Sequence, residues 1–131
     1  MPGPPGPITW IMLHTFAAKI RERSFVENKE EVSKFFESVC QSLPCEACKK
    51  EADQYMKRYP DIGSTKAEFI TYNFNFHTSL NVKLRKTYFP REYLERYNKA
   101  DIRKIFPLFT NRYEMPASNK TFISEHEEWF D

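Results

Sequence analysis

Apolar residues recur along this chain at helical rather than strand spacing. Trp10, Leu13, Ala17 and Ile20 stand three and four apart, and Arg21, Glu22 and Arg23 close the polar end of that stretch. Val32, Phe35, Phe36 and Val39 predict a second helix over 27–41. A third begins at Cys45 and runs toward Tyr59, where Pro60 and Gly63 end it in a turn. Thr65-Lys66-Ala67-Glu68 has capping-box spacing and opens a long fourth helix through Phe69, Tyr72, Phe76, Leu80 and Leu84. Pro90 is placed to start a fifth, with Tyr93, Leu94, Tyr97, Ile102 and Ile105 on its apolar side, and Pro107 is expected to stop it.

No alternating strand pattern interrupts this series. The expected fold class is all-α, a four-helix bundle with a short fifth helix and an irregular C-terminal arm. Residues 1–7, rich in Pro and Gly, read as a flexible lead whose last proline can open a helix. Residues 8–105 then form the helical domain, and 106–131 an aromatic, acidic extension with one last turn near 125–130.

Composition narrows the function classes. In 131 residues, 20 Lys+Arg face 18 Asp+Glu, and a net charge of +2 gives nucleic acid or a membrane surface no strong attraction. The basic residues concentrate at 83–104, which suits a phosphate-bearing ligand or simply a solvated face. No apolar run reaches membrane-spanning length and the start lacks a signal-peptide pattern, so a cytosolic protein is expected.

Three cysteines fall within nine residues: Cys40, Cys45 and Cys48. That is no secreted disulfide framework. Cys40 follows Phe36 by four and reads as a small buried thiol. Cys45 and Cys48 form a CxxC at a helix start, where free N–H groups favour thiolate, a signature of redox chemistry or of metal binding. Thioredoxin-type chemistry would need a βαβ pattern, which is missing. A zinc set of Cys40, Cys45, Cys48 and His77 lacks the usual second ligand pair, leaving a zinc-stabilised interaction module as the alternative reading. A dithiol beside a flavin could pass electrons to oxygen. Trp10 and His14, four apart, with Tyr72, His77 and Asn81 could wall such a ring, and Lys83 and Lys86 could meet its pyrophosphate.

Three stretches carry a more specific likeness. Trp10 to Ala18, Leu43-Pro44-Cys45-Glu46-Ala47-Cys48, and His77 to Lys86 resemble, in order and approximate spacing, the signature blocks of the ALR/Erv family of FAD-linked sulfhydryl oxidases. The resemblance implies a helical bundle that binds FAD, is usually a homodimer, and catalyses 2 R–SH + O₂ → R–S–S–R + H₂O₂. By position it makes Cys45 the outer, substrate-facing cysteine and Cys48 the inner, flavin-facing one. Trp10, His14, Tyr72, His77, Asn81, Lys83, Lys86 and Tyr88 would line the FAD, and no metal is implied. Thr78 and Leu80 depart from the family's His-Asn-x-Val-Asn block, and the shuttle and structural cysteine pairs of many cellular members are missing. This minimal layout is most like the enzymes of large cytoplasmic DNA viruses. The expected partners are O₂ and a dithiol substrate or relay protein, with no nucleic acid and no membrane. The expected location is the host cytosol or virion, the mitochondrial intermembrane space being the alternative.

Overall fold

The computed structural model describes residues 7–43 and 45–131. The expected flexible lead, apart from Pro7, lies outside the described residues, as does Pro44 of the CxxC stretch. Helix α1 (Pro7–Lys19) opens on a proline, whose missing N–H costs nothing at a first helical position. Trp10, Met12, Leu13, Phe16, Ala17 and Ile20 are all buried, and so are Thr9, His14 and Thr15. Such a helix, apolar around most of its circumference, belongs at the centre of a bundle. It packs against the fifth and sixth α-helices and the 3₁₀ segment between them.

Around it stand α2 (Glu22–Glu27), α3 (Lys29–Gln41), α4 (Glu46–Arg58) and α5 (Lys66–Lys83). Helix α3 buries Val32, Phe35, Phe36, Val39 and Cys40, the stripe its sequence period predicts. The expected cap at the head of α5 forms, Thr65 Oγ1 accepting from the Glu68 N–H at 3.1 Å, while Glu68 Oε1 reaches one residue past the cap and accepts from the Ser64 N–H at 2.7 Å. Gly63, at φ +120°, is needed just before it, since a Cβ there would sit 2.8 Å from Glu68 Cβ and 2.9 Å from Phe69 N. Among the described residues there is no strand, and the all-α expectation holds.

The C-terminal third differs from its sequence reading. A 3₁₀ helix covers Arg91–Lys99, the chain extends at Ala100 and Asp101, and α6 runs over Ile102–Thr110. Asp101 restarts the helix by accepting from the Arg103 N–H at 3.0 Å. Pro107 lies inside α6 rather than ending it. The ring costs one backbone hydrogen bond, but Phe106 and Phe109 on either side are buried, and that packing outweighs a loss of about 3 kcal/mol.

The expected arm is also more ordered than predicted. Short helices α7 (Ala117–Lys120) and α8 (Phe122–Glu125) lead to a 3₁₀ turn at Glu127–Trp129. Ile123, Trp129 and Phe130 are buried. Phe130 makes an isolated antiparallel bridge to Ile20, flanked by Arg21 N–H to Trp129 C=O at 2.7 Å and Asp131 N–H to Lys19 C=O at 2.8 Å. The Arg103 guanidinium donates to the carbonyls of Glu127 and Asp131 at 3.0 and 3.3 Å. No helix among the described residues is long and apolar enough to cross a membrane.

Candidate redox site

Cys45 is the N-cap of α4, with extended backbone (φ −102°, ψ 122°), and its Sγ accepts from the Cys48 N–H at 3.4 Å. A sulfur in the capping position faces the unpaired N–H groups of the first turn, an environment that favours thiolate. Burial pushes the Cys45 thiol up, but hydrogen bonds from the Cys48 side chain and from the Cys48 and Ala47 backbone outweigh it, and the net shift is downward. The two sulfurs are unequal in access. Cys45 is half-buried and Cys48 has no exposed surface. Burial, the hydrogen bond to Cys45 and the Cys45 charge push the Cys48 thiol up to about 12, against a smaller downward pull from Lys86. Cys40 is fully buried on α3, and desolvation holds its thiol far above the usual range.

Lys86 owes its position to the end of α5. The helix closes with Arg85 N–H to Val82 C=O at 3.2 Å and Lys86 N–H to Asn81 C=O at 2.8 Å, with Arg85 in the left-handed region at φ 55°. This is the Schellman arrangement, with an arginine where glycine is usual. It turns the chain back so that 85–89 run beside the start of α1. Lys86 then acts on two groups at once, lowering both the Cys48 thiol and the His77 imidazole.

Beside Lys86 lies an open cavity of about 480 Å³, walled by Trp10, His77, Asn81, Arg85, Lys86, Tyr88 and Phe89. The Trp10 and His77 rings stack with centroids 3.8 Å apart and planes within 5°. Phe89 lies over both histidines, parallel to His14 at 5.2 Å and tilted to His77 at 4.4 Å. His14 Nε2 and His77 Nδ1 share a buried hydrogen bond of 2.8 Å. Burial and the neighbouring His77 lower His14 to about 3, while burial and Lys86 lower His77 to about 4, so both rings are neutral near pH 7. Asn81 is fixed by donating to the Thr87 carbonyl at 3.3 Å.

Of the lining residues expected from the sequence, Trp10, His77, Asn81, Lys86 and Tyr88 therefore border one cavity, and His14 joins them through its bond to His77. Tyr72 and Lys83 do not. They border a separate cavity of about 500 Å³ between α4 and α5, where the Tyr72 hydroxyl donates to the Tyr59 carbonyl at 2.8 Å. Phe89 and Arg85 are members that sequence reasoning missed. The Tyr-Phe-Pro run hinted at the first, and nothing in the pattern marks the left-handed turn that sets the second.

The stacked rings, the fixed amide and two cations at one mouth are a donor set that fits a flavin dinucleotide, with rings for its flat parts and charge for its pyrophosphate. The described residues contain no grouping of three or more His, Cys, Asp or Glu that could hold a metal ion. The sequence model of the Erv1/Alr family matches residues 7–103. The chain belongs to the Erv1/Alr family. It is 27% identical over 97 residues to the FAD-linked sulfhydryl oxidase ERV1 of Arabidopsis thaliana, a match covering 73% of this chain and 51% of the plant protein. Identity to the rice protein of the same name is 26% over 97 residues, covering 73% and 50%. The FAD-linked sulfhydryl oxidase of African swine fever virus is 27% identical over 101 residues, covering 76% of this chain and 85% of the viral protein. The chain thus spans about half the length of these plant Erv1/Alr relatives and most of the viral one. No solved structure matches the chain. The family match stops at residue 103, so most of α6 and everything after it lies outside the shared region.

Proposed function

We propose that this Erv1/Alr chain is a FAD-dependent sulfhydryl oxidase that forms disulfides in thiol substrates and delivers the electrons to O₂. The observation that carries the reading is the inequality of the two CxxC thiols, one accessible and acidified and the other buried, beside a cavity of stacked rings and cations reached through Lys86. The names of the plant and viral relatives, FAD-linked sulfhydryl oxidases, point the same way.

In the proposed cycle a substrate thiolate attacks Cys45 Sγ of a Cys45–Cys48 disulfide, the accessible sulfur of the pair. A substrate–Cys45 bond forms, the Cys45–Cys48 bond breaks, and Cys48 leaves as a thiolate beside the Lys86 charge. A second substrate thiolate attacks the substrate sulfur of the mixed disulfide, completing the substrate's disulfide and expelling Cys45. The first-turn N–H groups of Ala47 and Cys48 stabilise Cys45 as it leaves, and a low leaving-group pKa speeds that step. The substrate has then lost two electrons, now held by the Cys45/Cys48 dithiol. Bound FAD supplies an acceptor for this electron pair and its transfer to O₂ as H₂O₂. Trp10, His77 and Phe89 would cover its flat surfaces, Asn81 would hydrogen-bond it, and Lys86 would face its negative charge.

Homodimer formation, a protein dithiol as substrate or relay, and action in the cytosol of a virus-infected host are parts of the same proposal, the last supported by the viral relatives. Purified protein should be yellow, with flavin absorption near roughly 450 nm, and should consume oxygen when given dithiothreitol. A colourless, folded preparation without turnover would sink the reading.

A further inference from the structure

The segment Arg91–Lys99 has the sequence of one kind of helix and the backbone of another. Its nine residues form a 3₁₀ helix, although such runs rarely exceed three or four residues because their hydrogen bonds are poorly aligned. Glu, Leu, Arg and Lys, all strong α-formers, make up most of it. Arg91 and Glu95, Glu92 and Arg96, and Glu95 and Lys99 each stand four apart with opposite charge, the spacing that brings side chains together on an α-helix. At three residues per turn such pairs are rotated about 120° apart. Among the described residues none of the three forms an ion pair. Arg91 lies over Phe74 at 5.3 Å instead, and Arg96 over Tyr93 at 4.3 Å.

Both ends of this stretched helix touch the histidine pair. At the C-terminal end Tyr97 is buried and stacks on His14 at 5.1 Å, and Lys19 donates to the Asn98 carbonyl at 3.0 Å. Just before the N-terminal end, Phe89 lies over His14 and His77 at 5.2 and 4.4 Å. The Arg91 bond to Thr71 Oγ1, 3.1 Å long, is exposed and holds that end weakly. Between the helix and α1 is a cavity of about 410 Å³, bordered by His14, Ala17, Ala18, Leu94 and Glu95 among others, which leaves the turns room to tighten. A 3₁₀ helix rises about 2.0 Å per residue and an α-helix about 1.5 Å, so rewinding nine residues shortens the segment by about 4–5 Å. With Tyr97 fixed, that shortening falls on Pro90 and Phe89. A flat ring between Phe89 and the histidines needs two stacking contacts of about 3.5 Å each, an opening about 2–3 Å beyond the present spacing. Rewinding supplies more than that.

We propose that Arg91–Lys99 is a two-state gate: as a 3₁₀ helix it closes Phe89 onto the His14–His77 pair, and as an α-helix it draws Phe89 back and opens a slot for a flat ring. The ring is that of the flavin dinucleotide, so the gate rests on the oxidase reading above. Phe89 then covers the outer face of the ring, and the three ion pairs form as the helix rewinds. Dinucleotide binding and rewinding are one coupled equilibrium, biased by the charges of a segment that lies mostly at the surface.

The test compares FAD-free and FAD-loaded native protein by NMR over residues 91–99. FAD-free protein should show contacts from each Hα to the amide proton two residues on, as in a 3₁₀ helix, and loaded protein contacts four residues on, as in an α-helix. Glu95→Lys puts like charges at 91, 95 and 99, which opposes the α form alone, because Glu95 has no ion-pair partner in the 3₁₀ form. It should raise the FAD Kd by about fivefold and leave the thermal midpoint of the FAD-free protein unchanged. The sign is diagnostic, since an added cation would by itself favour an anionic dinucleotide. Loaded protein that keeps the 3₁₀ contacts, FAD-free protein that is already α-helical, or Glu95→Lys binding FAD as tightly as the native chain would each overturn the gate and leave the oxidase standing. A lowered FAD-free midpoint in Glu95→Lys would overturn it too, because Glu95 would then be paired before the helix rewinds. Native protein that binds no FAD would overturn the oxidase reading and the gate with it.

Discussion

His14 Nε2 and His77 Nδ1 meet at 2.8 Å inside the bundle, tying α1 to α5 across 63 residues of sequence. Both imidazoles are buried, and a shared proton bridges them only while at least one acceptor nitrogen is free. Their values lie near 3 and 4 in the fold against 6.5 in an unfolded chain. The unfolded state therefore binds more protons at acid pH, and stability should be full above about pH 6.5 and fall from there down to about pH 3. With each imidazole still neutral in the fold about two pH units below 6.5, the expected loss for the pair is about 5 kcal/mol, read as urea midpoints at pH 7.5 and pH 4.5. A His14→Phe variant should show a shallower decline over that window. If its acid slope equals the native one, the pair is not what destabilises the fold in acid.

The inequality of the cysteines should appear in alkylation. Cys45 is half-buried with a lowered thiol value, whereas Cys48 and Cys40 are buried and raised. Reduced native protein given iodoacetamide at pH 7.5 should be labelled first at Cys45, with the other two reacting only after denaturation. Cys48→Ala should slow Cys45 labelling by a fewfold, because it removes the side chain that now donates to Cys45. Peptide mass mapping of partially labelled protein checks the order, and Cys48 reacting first would contradict the geometry.

Arg85 holds φ 55° at a helix end that lends its shape to the cavity beside Lys86. A side chain in that region costs about 1–2 kcal/mol, and glycine removes the cost while adding roughly 0.5–1 kcal/mol of unfolded-state entropy. Arg85→Gly should thus be slightly more stable than the native protein, and more stable than Arg85→Ala by about 1 kcal/mol. Thermal unfolding of the three proteins tests this, and an alanine variant as stable as the glycine one would refute the strain.

Much of this architecture was legible because its causes are local. The α3 stripe, the Thr65–Glu68 cap and the helix-start position of Cys45 each follow from residue spacing and helix-end chemistry. The same logic brought Trp10, His77, Asn81 and Lys86 to one cavity. It placed Tyr72 and Lys83 with them too, yet they border another. Tyr72 precedes His77 by five positions on α5, which rotates it well off the cavity-facing stripe and toward Tyr59. Pro107 misled for the opposite reason, since local chemistry predicts a stop while tertiary burial of Phe106 and Phe109 carries α6 past it. The C-terminal strap was illegible because its partner, Ile20, is more than a hundred residues away.

That strap gives the sharpest stability prediction. Phe130 is 1% exposed and meets Phe16 edge-on at 5.0 Å, while its backbone is bridged to Ile20, the residue after the end of the central helix. Arg103 holds the same strap by its carbonyls and by an ion pair to Glu127 at 3.9 Å, but from a part-exposed position. Removing the ring leaves a cavity in an aromatic core, whereas removing the guanidinium frees carbonyls that water can reach. Phe130→Ala should therefore cost about 3–4 kcal/mol and Arg103→Ala about 1 kcal/mol. Phe130→Leu, which refills most of the volume, should recover more than half of the alanine loss. Urea unfolding with native-like m-values measures all three. If Phe130→Ala unfolds within about 0.5 kcal/mol of the native protein, the strap is a surface appendage rather than part of the α1 core.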